Sequence, residues 1–149
     1  MDSIERPSET VGPRYLLVEA GGRRFAWELT AIKEIVPARA VTRLPGAPAW
    51  VVGLLNLRGL VVTVIDLPGR LGLVPGGGAS FVVVGCDDRS LAVRVDAVRA
   101  VTMAPDGGVT PVDATAAFDG LVQGMVRVDD GMAALLDAAA LCRSVLAAA

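Results

Sequence analysis

The chain has 149 residues, with 14 basic and 16 acidic side chains and a net charge of -2. The two signs are interspersed, which argues against nucleic acid as the main partner because phosphate binding needs a concentrated basic field. Histidine is absent, which excludes Ser-His-Asp and Cys-His catalysis and zinc sites that use histidine.

The remaining composition predicts a folded, strand-rich cytoplasmic protein. Hydrophobic residues make up 53% but aromatic residues only 4%, so aliphatic side chains must fill the core. Cys86 and Cys142 lie far apart among apolar or small neighbours, and we expect buried free thiols in a reducing compartment. No apolar signal segment or membrane span is visible, and we expect neither a metal nor a cofactor.

The N-terminal part predicts a leader and a β-hairpin. Residues 1–14 are charged and contain two prolines, which is typical of a flexible leader. Strand patterns at 15–20 and 24–29 flank Gly21-Gly22, a favoured hairpin turn. Thr30 is then placed to cap a short helical turn that runs through Glu34.

The stretch from Gly53 to Leu67 organises the chain. It is mainly apolar, yet Asn56 and Arg58 stand in its middle, so we expect a strand, a tight polar turn and a second strand. An Arg58 guanidinium on such a turn offers five donors in a planar fork to a partner's carboxylate or carbonyl groups. The alternative is that Arg58 lies along the surface while Asn56 caps its own turn.

The second half repeats the pattern of the first. A shift of 66 residues lays 15–18 on 81–84, and a shift of 71 lays Gly53 on Gly124. Apolar positions coincide because each half needs the same inward faces, although shared hairpin patterns or chance are alternatives. The repeat predicts two small β-barrels in tandem, which must pack on each other to be stable and leave a groove between them.

Two further segments complete the prediction. Gly76 to Gly78 form a loop that lacks the Gly-Lys-Ser/Thr ending of a phosphate-binding loop. Residues 137–147 are rich in Ala and Leu and are helical by propensity, with Leu141 and Val145 on one face that packs on a barrel.

The motif G-x-x-N-L-R-G at residues 53–59 resembles the signature of CheW-like domains of bacterial chemotaxis. The resemblance extends from residues 15–18 through 44–48 to 124–128, in matching order and spacing. It implies a mainly β fold, with two tandem five-stranded SH3-like β-barrel subdomains that share a hydrophobic core, and short helices. The expected boundaries within one CheW-like domain (15–149) are subdomain one at about 15–72, subdomain two at about 81–136 and a C-terminal helix at about 137–147.

The resemblance implies a non-enzymatic adaptor that couples the cytoplasmic tips of methyl-accepting chemoreceptors to the histidine kinase CheA. Such a protein is cytoplasmic and is recruited to membrane-associated receptor arrays without entering the membrane. Asn56, Leu57, Arg58 and Gly59 match the family motif of the receptor-binding groove, and Val61 is expected to line the same groove.

The kinase-binding surface is expected on the first barrel. Ile32 and Glu34 match positions near the surface that contacts the regulatory domain of CheA, and Gly53 matches a glycine whose replacement crowds that region. One residue departs from the family pattern: Thr63 stands where the family often has proline. Because proline suits an edge or bulge, Thr63 is expected to change the strand's edge while leaving the groove in place.

Two alternatives accompany the adaptor prediction. One is a CheW-like scaffold in a non-flagellar pathway, such as one that drives pili. The other is a small enzyme in which Asp66 acts with Asp96 or Asp137 as acid and base. Asp66 and Asp137 fall at equivalent strand ends of the repeat, however, which favours a structural role as a turn or cap.

Overall fold

The computed structural model describes residues 13–74, 78–103, 109–111, 118–128 and 131–148, and these form a mainly β protein. The strands in chain order are β1 Arg14–Ala20, β2 Arg23–Glu28, β3 Ile32–Pro37, β4 Val51–Leu57, β5 Leu60–Asp66, β6 Ser80–Cys86, β7 Arg89–Val95, β8 Ala97–Met103, β9 Val109–Pro111, β10 Val122–Val128 and β11 Gly131–Leu136. The helices are α1 Leu67–Arg70 and α2 Ala138–Ala148, and 3₁₀ turns occupy Leu29–Ala31 and Phe118–Gly120.

The strands form two sheets. The six-stranded sheet has the order β8-β1-β2-β11-β10-β9, and the five-stranded sheet has the order β3-β6-β7-β5-β4. Thr42, which follows β3, bridges to Leu54 on β4 and brings the two outer strands of the five-stranded sheet together. The predicted mainly β fold with few helices is confirmed, and the two sheets have five and six strands where the resemblance implied five in each subdomain.

The two sequence halves exchange their first hairpins. Strands β1 and β2 pair with β8 and β11 of the second half, whereas β6 and β7 pair with β3 and β5 of the first. Two parallel contacts join the halves, one between Thr63 and Leu91 and the other between Ala134 and Phe25. Residues 15–72 and residues 81–136 therefore each supply strands to both sheets.

The internal repeat is confirmed strand by strand. We call β1 to β5 with α1 the first repeat, and β6 to β11 with α2 the second repeat. Strands β1 and β6 begin and end 66 residues apart, and β4 and β10 begin and end 71 residues apart. In each repeat the pairing register shifts immediately before a glycine, Gly53 or Gly124.

Three clusters of buried side chains follow from this arrangement. One fills the inside of the five-stranded sheet, with Leu57 and Phe81 among its members, and one fills the inside of the six-stranded sheet around Tyr15 and Val128. The largest lies between the two sheets and includes Trp27 from one and Ile65 from the other. A core shared by the two sheets is therefore present, as expected.

Three local predictions fare differently. The helical turn from Thr30 to Glu34 is wrong, because only Leu29–Ala31 forms a 3₁₀ turn and Ile32 already begins β3. The C-terminal helix is confirmed at Ala138–Ala148. Arg14 belongs to β1 instead of the leader, and the leader up to residue 12 and most of the glycine loop lie outside the described residues.

The expectation of free thiols is wrong, because the structure joins Cys86 to Cys142 by a disulfide bond. Their Cα atoms are 5.8 Å apart, which is a distance that a disulfide spans. The sequence does not reveal this pairing because 56 residues separate the two, and only the packing of α2 against β6 brings them together.

Candidate functional site

The polar centre of the signature motif forms a two-residue hairpin turn between β4 and β5. Arg58 and Gly59 have φ angles of 53° and 86°, and a tight turn of this hand requires positive φ at both positions. The Asn56 Oδ1 atom accepts a hydrogen bond from the Gly59 N–H at 3.0 Å. Asn56 thus stabilises the turn that presents Arg58, which is the structural alternative considered for this residue.

Arg58 is held by a carboxylate on a different strand. Its Nη1 donates a hydrogen bond to Oε2 of Glu34 on β3, and the two form an ion pair at the protein surface. This bond, helped by the charges of Arg58 and Arg39, lowers the pKa of the Glu34 carboxyl below its ordinary value. The structure therefore brings together two residues that the sequence assigned to different partners.

An apolar platform begins directly after the turn. Leu60 and Val61 are 68% and 69% exposed, unusual values for large aliphatic side chains on a strand. They line an open groove with Lys33 and Arg89, and the Lys33 ammonium donates to the Ser90 hydroxyl at 2.8 Å on its far side. We call Leu60 and Val61, with the neighbouring Arg58, the hairpin platform.

Two predicted site residues lie inside the protein instead. Leu57 is buried in the interior of the five-stranded sheet, where its side chain packs with the aliphatic residues of that cluster. Gly53 is also buried, and a Cβ atom there would overlap the backbone carbonyl of Thr42. Gly53 permits the close approach that closes the sheet, and its replacement would crowd the region as expected.

The edge strand β3 carries the predicted kinase-binding residues. Ile32 is half-buried and packs against the shared core, whereas Ile35 is 43% exposed. Because side chains alternate along a strand, Ile35 and Lys33 point away from the protein while Ile32 and Glu34 are more covered. Ile35 is thus the apolar residue of β3 available to a partner, and reading this segment as a strand would have identified it.

Thr63 occupies a central strand. It pairs with Leu54 on β4 and with Leu91 on β7, so β5 has neighbours on both sides at this point. The expectation that Thr63 alters a strand edge is therefore wrong, because β5 is not an edge strand.

The carboxylates proposed for catalysis serve the fold. Asp66 is buried, accepts from the Arg94 Nε at 3.0 Å and caps α1 through the Gly69 N–H at 3.0 Å. Asp137 accepts from the Ala140 N–H at 3.1 Å. In the same way Asp96 accepts from the Gly21 N–H at 2.9 Å, so each of the three carboxylates stabilises a turn or a helix end.

Two further features were looked for among the residues that the structure describes: a metal-binding cluster and a membrane-spanning helix. No group of three or more His, Cys, Asp or Glu residues there is arranged to hold a metal ion. Across the same residues, no helix has the length and apolar character that crossing a membrane requires.

The sequence and the fold are similar to those of several known proteins. The chemotaxis protein CheW of Rhizobium meliloti (strain 1021) is 29% identical over 134 residues, 86% of this chain and 86% of that protein. Protein PilI of Pseudomonas aeruginosa is 38% identical over 52 residues, 35% of this chain and 29% of PilI. The solved structure of the scaffolding protein TtCheW from Thermoanaerobacter tengcongensis has a TM-score of 0.77 at 23% identity, covering 84% of this chain and 88% of TtCheW. The family model for the CheW-like domain matches residues 14–146, and the chain therefore belongs to the CheW-like domain family.

Proposed function

We propose that this protein is a non-enzymatic adaptor that couples the cytoplasmic tip of a chemoreceptor to the regulatory domain of a CheA-type histidine kinase. The observation that carries the proposal is the hairpin platform, where two exposed aliphatic side chains stand beside a charged turn. Exposed apolar surface of this kind on a small domain usually marks a partner site. The protein acts in the cytoplasm, at receptor arrays on the membrane.

The receptor tip binds the hairpin platform. A helical hairpin presents an apolar ridge that fits against Leu60 and Val61, while polar groups at its edge meet Arg58 and Lys33. Arg58 already pairs with Glu34, so it is held in place before the receptor arrives. A preorganised guanidinium loses less conformational entropy on binding than a mobile one does.

The kinase binds the outer face of β3. This strand lies at the edge of the five-stranded sheet and exposes Ile35. Glu34 on the same strand contacts Arg58 of the hairpin platform, so the two partner surfaces meet at one ion pair. This contact gives receptor binding a direct physical route to the kinase-binding strand.

A pathway that drives pili is the second candidate for the output. The similarity to Protein PilI over 52 residues supports it. The two candidates use the same surfaces and differ only in the receptor and the kinase. Pull-down with each kinase encoded in the organism separates them, since the cognate kinase is retained and the other is washed away.

Replacing Arg58 tests the proposal. Arg58→Ala should weaken receptor-tip binding about 10- to 100-fold, the effect of losing a hydrogen bond to a charged group of about 1.5–3 kcal/mol. Arg58→Lys should rescue only part of this affinity, because lysine keeps the charge and loses the planar fork. Calorimetry against a receptor-tip peptide hairpin and against the kinase regulatory domain measures both affinities.

Matched controls separate the two surfaces. Val61→Asp should abolish receptor binding, whereas Met132→Asp at the equivalent exposed position of the second repeat should leave it intact. Ile35→Asp should weaken only kinase binding, and it is a cleaner test than Ile32→Asp because Ile32 also packs on the core. Equal loss of both partners in Arg58→Ala, or a Tm lower by many degrees, would show that Arg58 is structural.

A further inference from the structure

Cys86 and Cys142 connect two parts of the fold that the chain itself links only indirectly. Cys86 is the last residue of β6 in the five-stranded sheet. Cys142 lies in α2, which directly follows β11 of the six-stranded sheet. The bond between them therefore fastens the C-terminal helix to a sheet other than the one that leads into it.

The described contacts of α2 lie on one face of the helix. Leu141 and Val145 are fully buried in the shared core, and Asp137 caps the first turn. Much of the rest of the helix is alanine, which buries little apolar area per residue. A helix that packs through one face only is expected to open locally before the paired strands of the sheets unfold.

A cleft open to solvent reaches the two cysteines. Both line it, together with Ala31 before β3, Asp87 after β6 and Arg143 on α2. Neither sulfur is prominent at the surface, since both side chains are largely buried, and the cleft supplies the route for a small thiol. Asp87 and Arg143 place one charge of each sign at this cleft. Disulfide exchange proceeds through the thiolate of the attacking thiol.

We propose that Cys86 and Cys142 form a redox-responsive clasp that holds α2 against the five-stranded sheet when oxidised and lets it open when reduced. A dithiol opens the clasp in two steps. Its thiolate attacks one sulfur to give a mixed disulfide and a free cysteine thiolate, which takes up a proton. The second thiol of the reductant then displaces the other cysteine, so the two cysteines gain two electrons and two protons and the reductant becomes a cyclic disulfide.

Closing the clasp needs a disulfide oxidant. Oxidised glutathione forms a mixed disulfide with one cysteine and releases one reduced glutathione. The second cysteine then attacks that mixed disulfide and releases another reduced glutathione. A loop of 56 residues is closed in the process, which restricts the open chain strongly. The proposal is independent of the adaptor function, because it concerns only how α2 is held.

Hydrogen exchange on the full-length wild-type protein tests the clasp directly. The protein is equilibrated with dithiothreitol or with oxidised glutathione, and alkylation followed by intact mass counts the free thiols. We expect two free thiols after dithiothreitol and none after oxidised glutathione. Amide exchange in residues 138–148 should be about tenfold or more faster in the reduced protein, while exchange in β1 and β2 stays the same.

The variant Cys142→Ser supplies the matched control. Its α2 should exchange at the rate of the reduced wild type under both conditions, so the redox dependence disappears. If this variant does not fold, the two arms on wild-type protein still decide the question. The clasp is ruled out if native protein keeps two free thiols in oxidised glutathione, if dithiothreitol leaves the bond closed, or if α2 exchanges equally in both states.

Discussion

The two repeats of this protein share a skeleton and differ at its tips. In each repeat a glycine admits a close backbone contact, and an aspartate caps the helix that follows the last strand. The tips of the second hairpins are different. The first repeat carries Arg58 and Gly59 followed by the exposed Leu60, whereas the second has two aspartates followed by Gly131. The features shared by the two repeats are those that the fold requires, and the tip that differs is the one for which we propose a partner.

The ends of the last strands also differ in charge. In the first repeat Asp66 faces Arg94 of β7 and forms a buried ion pair. The equivalent residue to Arg94 is Glu28 on β2, which lines a cleft with Asp137 and brings two acidic residues to the corresponding place. The same cap geometry thus survives in two opposite electrostatic environments. The cap at Asp137 has an acidic neighbour, whereas the cap at Asp66 is accompanied by an ion pair.

Removing one repeat should have the largest effect on stability, because neither repeat contains all the strands of a sheet. A truncated chain that ends at Gly72 lacks β6 and β7, which supply two of the five strands of its sheet. We expect it to be aggregated or unfolded, with poorly dispersed amide resonances in its NMR spectrum. The full chain should unfold as one cooperative unit in urea. A dispersed spectrum from a monomeric truncated chain would contradict the shared-core arrangement.

Substitution of Gly53 or Gly124 should have the next largest effect, and the effect should be larger at Gly53, where the φ of 153° is also unfavourable for a side chain. A Cβ at Gly53 would overlap the Thr42 carbonyl, and one at Gly124 would overlap the Val109 side chain and the Thr110 carbonyl. Because backbone must move in each case, Gly124→Ala should lower the free energy of unfolding by about 3 kcal/mol, and Gly53→Ala by about 3 kcal/mol or more.

Gly85→Ala is the matched control for both glycine substitutions. Its added methyl would meet only the flexible end of the Lys33 side chain, so we expect a change within about 1 kcal/mol. Urea unfolding of Gly53→Ala, Gly124→Ala and Gly85→Ala measures the three changes in the free energy of unfolding. An effect confined to Gly53 would show that only the first repeat needs a close backbone contact.

Substitution of the two helix-capping aspartates should destabilise the protein by different amounts in the two repeats. Asp66→Ala removes a cap and leaves the mostly buried Arg94 without its carboxylate, which should cost about 3 kcal/mol. Asp137→Ala removes only the bond to the Ala140 N–H and should cost about 1 kcal/mol. Thermal and urea unfolding report both values. Equal losses would mean that the Asp66 ion pair adds nothing beyond the cap.

The smallest effect concerns the exposed ion pair of the hairpin platform. The pKa of Glu34 is lowered by Arg58 from an ordinary value of 4.5, so the pair's contribution is present above pH 4.5 and is lost as pH falls through the lowered pKa. The Tm difference between wild type and Glu34→Gln should therefore be small at pH 7 and should vanish in more acidic solution. In an Arg58→Ala background the difference should shrink to the smaller contribution of Arg39, and an undiminished pH-dependent difference there would exclude the pair as its source.

Much of the fold is accessible from the sequence because it depends on local patterns. The alternation of apolar residues, the turn glycines and the repeat predict two small sheets and a C-terminal helix, and these are present. The exchange of hairpins is not accessible in this way. A strand's pattern states which face is buried, but the choice of a parallel neighbour, as between β5 and β7, depends on long-range packing.

The sequence predicts where the candidate site lies, but the structure is needed to show which of its side chains are exposed. The polar turn with Asn56 and Arg58 stands out because an amide and a guanidinium interrupt an apolar stretch. The motif alone places Leu57 at the surface, and only the three-dimensional structure shows it filling a sheet interior. Arg58 and Glu34 are 24 positions apart in the sequence, so no local sequence pattern indicates that they pair.

The exchanged hairpins make this single chain the counterpart of a domain-swapped dimer whose subunits have been joined. The connection between α1 and β6 is a covalent tether, which raises the effective concentration of one repeat near the other. Cutting that tether leaves complementary surfaces on the two pieces, since β5 pairs with β7 and β2 pairs with β11. Fragments 13–74 and 78–148, produced together, should therefore reassemble as a non-covalent pair, which makes the protein a natural scaffold for split-protein complementation.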